Sequence, residues 1–134
     1  MYSKIVIVGH LGKKPEMRYT PSGQAVTSFS VASSRKYTQN NETVTETIWF
    51  RVSVWGKSGE ACNQYLDKGS LVLVEGRLAP DKATGNPRMY AKQDGTQSTS
   101  YEVTALEVKF LSGNKTGETH QAEAEQLPAD ELPF

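Results

Sequence analysis

The segment Thr47-Ile48-Trp49-Phe50-Arg51-Val52-Ser53-Val54-Trp55 contains both tryptophans of the chain, with an arginine between them. If it is extended, a period of two sends Ile48, Phe50, Val52 and Val54 to one face and Trp49, Arg51, Ser53 and Trp55 to the other. The first face reads as core. The second presents two indoles and a guanidinium, which suits unpaired nucleic acid: bases stack on aromatic rings while cations hold phosphates, and neither contact depends on which base is present. The competing reading is that both tryptophans pack within a two-sided sheet or a subunit interface, since tryptophan is highly buried on average.

Other cations and aromatics interleave in the same manner. Arg35-Lys36-Tyr37 precede the tryptophan segment, Lys57 follows it, Arg77 lies in a later apolar run, and Arg88, Tyr90 and Lys92 share one side by alternation. An isolated charge run would be read as a solvated face; repeated pairing with aromatics is read as a binding face. No Ser/His/Asp, Cys/His or paired-carboxylate constellation can be assembled, so no catalysis is expected. The lone Cys62 excludes an internal disulfide and reads as a small buried helix residue. His10 and His120 lie far apart, so no metal and no cofactor is expected.

The formal net charge of zero conceals a division along the chain. Residues 1–111 carry 14 Lys+Arg against 10 Asp+Glu, a net +4, whereas residues 112–134 carry 1 against 5, a net −4. A basic body with an acidic tail fits a nucleic-acid partner for the body. No apolar run approaches the roughly 20 residues of a membrane span, and Met1 to Lys4 passes directly into a strand-like run, so no membrane association or leader is expected.

These side chains need a scaffold, and period-two patterns punctuated by turn residues predict a largely β domain over residues 1–111. Strands are expected at Lys4–Val8, about Ala25–Ala32 with a bulge or bend at Thr27 and Ser28, about Thr45–Trp55, Ser70–Leu78 and Tyr101–Leu111. Gly9–Gly23 reads as turn-rich and Thr38–Thr43 as a polar loop. Lys57–Lys68 reads as the one helix, with Ala61, Tyr65 and Leu66 at helical spacing and Gly69 as its stop. Ala79–Ser100 reads as a long excursion with a central hairpin. Five strands with a helix between the third and fourth is the element order of the OB-fold, a five-stranded Greek-key barrel of the all-β class.

With Ile7-Val8-Gly9-His10-Leu11-Gly12 and Pro15-Glu16-Met17-Arg18-Tyr19, with Trp49-Phe50-Arg51-Val52 and Trp55-Gly56-Lys57, and with Tyr65-Leu66-Asp67-Lys68-Gly69-Ser70 and Val74-Glu75-Gly76-Arg77-Leu78, the chain resembles the bacterial single-stranded DNA-binding protein family over essentially its whole length. The resemblance implies base stacking by Tyr37, Trp49, Trp55 and Tyr90 and phosphate contacts by Arg18, Arg51, Lys57 and Lys68. Charge placement adds Arg35, Lys36, Arg77, Arg88 and Lys92. Tyr37 and Tyr90 stand where many relatives carry tryptophan, and Trp55 where many carry phenylalanine. The segment Asp81–Pro87 looks like an insertion. The resemblance also implies a cytoplasmic, nucleoid-associated homotetramer that coats single-stranded DNA in replication, recombination and repair, with no small-molecule substrate.

From Ser112 onward, Gly, Asn, Thr, Gln, Ala and Glu dominate, so 112–129 is expected to be a disordered polar linker. Asp130-Glu131-Leu132-Pro133-Phe134 resembles the family's acidic and apolar tip, which implies capture of DNA-processing proteins. A terminal ring can enter a pocket while a basic rim holds the acids. Two other functions fit these residues less well: an adaptor whose aromatic face meets a protein, against which the tail speaks, and an OB-fold RNA chaperone or translation factor, whose cold-shock type needs aromatic motifs early in the chain that are absent.

Overall fold

The computed structural model of the chain describes residues 2–111; the expected linker 112–129 and the tip Asp130–Phe134 lie outside the described residues. Among the described residues the strands are β1 (Ile5–Leu11), β2 (Glu16–Tyr19), β3 (Ala25–Gln39), β4 (Glu42–Trp55), β5 (Leu71–Leu78), β6 (Arg88–Ala91) and β7 (Gln97–Phe110), and the helix α1 (Gly56–Tyr65) lies between β4 and β5. The order β1-β5-β7-β4-β3 closes on itself, because β1 pairs with β5 along most of its length and with β3 at His10 and Leu11. β4 and β7 run parallel and the other pairs are antiparallel. This is the OB-fold barrel, with β2 added beside β3 and β6 beside the start of β7.

The inward positions alternate as the sequence requires. Phe29 and Val31 of β3, Phe50, Val52 and Val54 of β4, Val72 and Val74 of β5, and Val103 of β7 are buried together with Ile7 and Leu11 of β1. Each fully buried valine contributes about 1.5–3 kcal/mol relative to an exposed one. α1 packs against β3 and β4 and buries Gly59, Cys62 and, just past its end, Leu66. Thr27 is fully buried, and its hydroxyl donates to the Gly59 carbonyl at 2.6 Å, which ties the helix to the sheet.

Several boundaries differ from the sequence expectation. β1 continues through Gly9 to Leu11, because a Cβ at Gly9 would stand 2.2 Å from the Ala32 carbonyl oxygen, and glycine alone lets the two strands cross that closely. Glu16–Tyr19 is a strand rather than a turn. Of the bulge or bend expected at Thr27 and Ser28, the bulge is absent: the β3–β4 ladder is continuous there, and the register shift lies between Glu75 and Gly76 of β5, opposite the extra residue Leu106 of β7. Thr27 had only looked like a slip because a hydroxyl sits at an inward position.

The loop expected at Thr38–Thr43 is strand up to a two-residue turn. Asn40 and Asn41 both adopt positive φ, 52° and 63°, the conformation of the tight hairpin turn that asparagine tolerates. The helix ends at Tyr65 rather than Lys68. Leu66 is extended with its N–H on the Cys62 carbonyl at 3.0 Å, and Gly69, at φ 88°, turns the chain so that its N–H reaches the Leu11 carbonyl at 2.8 Å. Tyr65 accordingly points outward. No helix among the described residues is long and apolar enough to cross a membrane.

Candidate nucleic-acid interface

The outer face of the barrel is built in rows by strand register. Arg18, Val26 and Trp55 lie side by side on β2, β3 and β4; Ser30, Arg51 and Glu102 lie side by side on β3, β4 and β7. A third row runs Glu16, Ser28, Ser53, Thr104 and Arg77, which carries the face on to β5. The alternation of β4 therefore holds as read: Phe50, Val52 and Val54 face inward, and Trp49 and Trp55 are 54% and 44% exposed on the other side. Ile48 departs from it, being 44% exposed, because at that level the β3–β4 hairpin has left the barrel.

An open groove of about 630 Å³ crosses this face, and Trp49, Arg51, Arg18, Arg88 and Tyr90 all line it. Five of the residues singled out in the sequence are thus gathered at one place from β2, β4 and β6. The hairpin formed by β6 and β7 fixes Tyr90 opposite Ser98, so this ring stands in the groove despite the segment at 81–87.

The remaining residues occupy other places. Trp55 closes β4 on the same outer face, with Lys57 exposed in the first turn of α1. Lys36 is exposed on β3, on the side of the ribbon that Trp49 shares by alternation. Arg35 and Tyr37 fall on the opposite side. There the Arg35 guanidinium lies 5.2 Å from the Tyr37 ring centre and its Nε donates to Glu46 at 3.0 Å. Lys68 sits in the turn after α1, and Lys92 in the turn after β6, where its backbone N–H meets the Thr96 carbonyl at 2.8 Å.

Apart from Ser53, the polar floor of the groove and its one acid are not singled out by the sequence pattern. Ser28, Ser30, Ser53, Thr99 and Ser100 line it. Their small size leaves room beside Trp49 and Arg51, and the signal was the run of serines at the outward positions of β3. Lys13 and Lys14 join Arg51 in an adjoining hollow. Glu102 receives the Ser100 hydroxyl at 2.9 Å and lies 3.7 Å from Arg88. Its carboxylate is largely covered, which sets one negative charge among the cations of the groove. Among the described residues no group of three or more His, Cys, Asp or Glu could hold a metal ion.

Open to solvent and lined by the rings of Trp49 and Tyr90 and by three guanidiniums, the groove can stack planar rings while neutralising phosphates. The comparisons agree with that geometry. The chain is similar to the single-stranded DNA-binding proteins of Neisseria meningitidis serogroup A, at 39% identity over 83% of this chain and 60% of that one, and of Xanthomonas campestris pv. campestris, at 42% over 86% and 63%. It therefore spans about three fifths of the length of those relatives. It is 32% identical to single-stranded DNA-binding protein 1 of Chlorobaculum tepidum over 98% of this chain and 97% of that one. The fold resembles the crystal structure of the small single-stranded DNA-binding protein from Streptomyces coelicolor with a TM-score of 0.66 at 22% identity, covering 81% of this chain and 93% of that chain. With residues 2–111 matching the family as a whole, this chain belongs to the single-strand binding protein family.

Proposed function

We propose that this protein binds single-stranded DNA with little sequence preference, as a non-enzymatic coat in replication, recombination and repair. The observation that carries the reading is the meeting of Trp49 and Tyr90 with Arg18, Arg51 and Arg88 in one solvent-open groove. Exposed rings stack bases that a duplex would keep stacked on one another, so the chemistry favours the unpaired strand. Trp55, Lys57, Lys36 and Lys68 extend the path along the outer face and the ribbon, Arg77 continues that face on β5, Tyr37 offers a ring on the other side of the ribbon, and Arg35 and Lys92 are outlying cations.

The assembly proposed is a homotetramer of single-barrel chains. Val6 is 55% exposed on the outer side of β1, next to half-buried Val8, and supplies an apolar contact for a neighbouring copy. The tip Asp130-Glu131-Leu132-Pro133-Phe134 is proposed to recruit DNA-processing proteins by inserting a ring beside paired acids.

Tryptophan fluorescence titrated with oligo-dT, duplex DNA and oligo-U tests the reading. Strong quenching by oligo-dT and little by duplex is the expected result, and Trp55→Ala weakens binding by about 1–3 kcal/mol, the range for one lost stack. Equal response to duplex, or none to oligo-dT, would overturn it. Light scattering that returned 14.8 kDa at micromolar concentration would exclude the tetramer.

A further inference from the structure

A second hollow lies where the barrel core opens beyond β5. Val103 of β7 is buried and faces inward; Tyr101, two residues earlier on the same side of the strand, rests its ring on Phe50 at 5.9 Å between centroids yet stays 50% exposed. Leu78, opposite Val103 in the ladder, is 55% exposed. Residues 79–87 fold over this end and are held by backbone hydrogen bonds, one to β7 and two within the segment. The Ala79 N–H donates to the Glu102 carbonyl at 2.7 Å, the Asp81 N–H to the Asn86 carbonyl at 2.9 Å and the Gly85 N–H to the Asp81 carbonyl at 2.8 Å.

The result is a hollow of about 170 Å³ walled by Leu78, Pro80, Pro87 and Tyr101, with Asn86 beside them. It is smaller than the roughly 300–1,000 Å³ of sites for drug-sized ligands, so a single planar ring suits it better than a larger ligand. Ser100 and Glu102 line both this hollow and the main groove, so the two share a rim.

We propose that the hollow receives one nucleobase from the strand as it leaves the groove, stacked on Tyr101 between Pro80 and Pro87. The proposal rests on the groove binding single-stranded DNA and adds a stacking position to it. Three features favour a base over other occupants. The walls are apolar and one of them is an aromatic face. The Asn86 amide offers both donors and an acceptor to a base edge, whichever base arrives. Glu102 at the rim repels phosphate, so the base turns inward while the backbone stays outside.

The test uses the full chain and oligo-dT carrying 5-iodouracil at one position at a time, crosslinked by ultraviolet light and mapped by mass spectrometry. A crosslink at Tyr101, from a position several nucleotides away from that captured by Trp49, is the expected result. Tyr101→Leu should then weaken binding of long oligonucleotides roughly 5- to 20-fold, the lower part of the range for a base stack. Short oligonucleotides confined to the groove should bind it as before, with tryptophan quenching intact, and Tyr101→Phe should retain wild-type affinity. Quenching without any crosslink at Tyr101, together with unchanged affinity of Tyr101→Leu, overturns this proposal and leaves the groove standing. Loss of assembly mass in DNA-free Tyr101→Leu would also overturn it, since the hollow would then hold another copy. Absence of quenching in the wild-type chain would overturn the groove and this proposal together.

Discussion

Gly12 forms the seat of Trp49. A Cβ placed on Gly12 would stand 2.6 Å from Cζ3 and 2.8 Å from Cη2 of the indole, and the Gly12 N–H is fixed to the Ser30 carbonyl at 3.1 Å. The bare backbone of the loop after β1 therefore sets where the ring rests at the edge of the groove.

Gly12→Ala should displace the ring rather than unfold the barrel, since the atoms in the way are the far end of a movable side chain. The tryptophan emission of the free protein should change, the urea midpoint should hardly move, and affinity for oligo-dT should fall by about 1 kcal/mol, the low end for a disturbed stack. Unaltered emission and affinity would show that the seat has no influence on the ring.

The charges of the groove predict opposite salt responses. Arg51→Ala removes a phosphate partner and should flatten the plot of log K against log salt by about 0.7. Glu102→Gln removes the carboxylate near Arg88 and should tighten binding severalfold at low salt, with the gain shrinking as screening shortens toward about 3 Å at 1 M. Tightening that persisted at high salt would point to altered packing instead of relieved repulsion.

The outward rows of β4 were legible because a buried apolar face and an exposed face alternate cleanly over Phe50 to Trp55. The ends of the strands were not. From Ser34 to Thr47 the β3–β4 hairpin is almost wholly exposed and carries polar residues on both sides, so no hydrophobic period marks it, and only Asn40-Asn41 signals the turn. Glu16–Tyr19 was hidden for a related reason: β2 is short and mostly exposed, and its partner strand, not its own composition, makes it a strand. The gathering of Arg88 and Tyr90 with Trp49 depended on how the 81–87 segment folds, which local pattern does not encode. Glu102 was passed over because a carboxylate in a cationic site becomes visible only when its neighbours are known.

Cys62 predicts an alkaline limit to stability. Burial pushes its thiol up to about 11 from an ordinary value of 9.0. Below pH 9 both the native and the unfolded thiol are protonated, so no pH dependence arises from it. Between pH 9 and about 11 the unfolded chain loses the proton first, and stability declines by up to about 1.4 kcal/mol per pH unit. Urea midpoints at pH 8, 9.5 and 10.5 should fall more steeply for the wild type than for Cys62→Ala. Parallel declines would show that the thiol is not the cause.

The tail, net −4 against a body of +4, should compete with DNA for the cationic groove through its high effective concentration. Deleting 130–134 should leave the barrel folded and DNA affinity equal or slightly higher at low salt, while abolishing capture of DNA-processing proteins. Phe134→Ala should abolish that capture with DNA affinity unchanged, since it removes a ring and no charge. Intact capture by Phe134→Ala, or a severalfold loss of DNA affinity on deletion, would refute this role.

The exposure of the outer β3–β4 ribbon should divide the molecule into two kinetic regimes. Its ladder continues to Gln39 and Glu42, yet beyond Ser34 and Thr47 its residues are mostly exposed, in contrast to the buried stretch near Phe29 and Val52. Backbone hydrogen bonds in such a ribbon can open without breaching the barrel, so their amides should exchange with solvent through local fluctuations, whereas those around Val31 and Val52 should exchange only on global unfolding. A strand of DNA meeting Lys36 on the side of the ribbon that Trp49 shares would encounter an arm able to bend and settle over it, while the groove at Trp49 stays a rigid reference. Protection of the ribbon amides on DNA binding, with no change in those of the barrel, would be the signature of that division of labour.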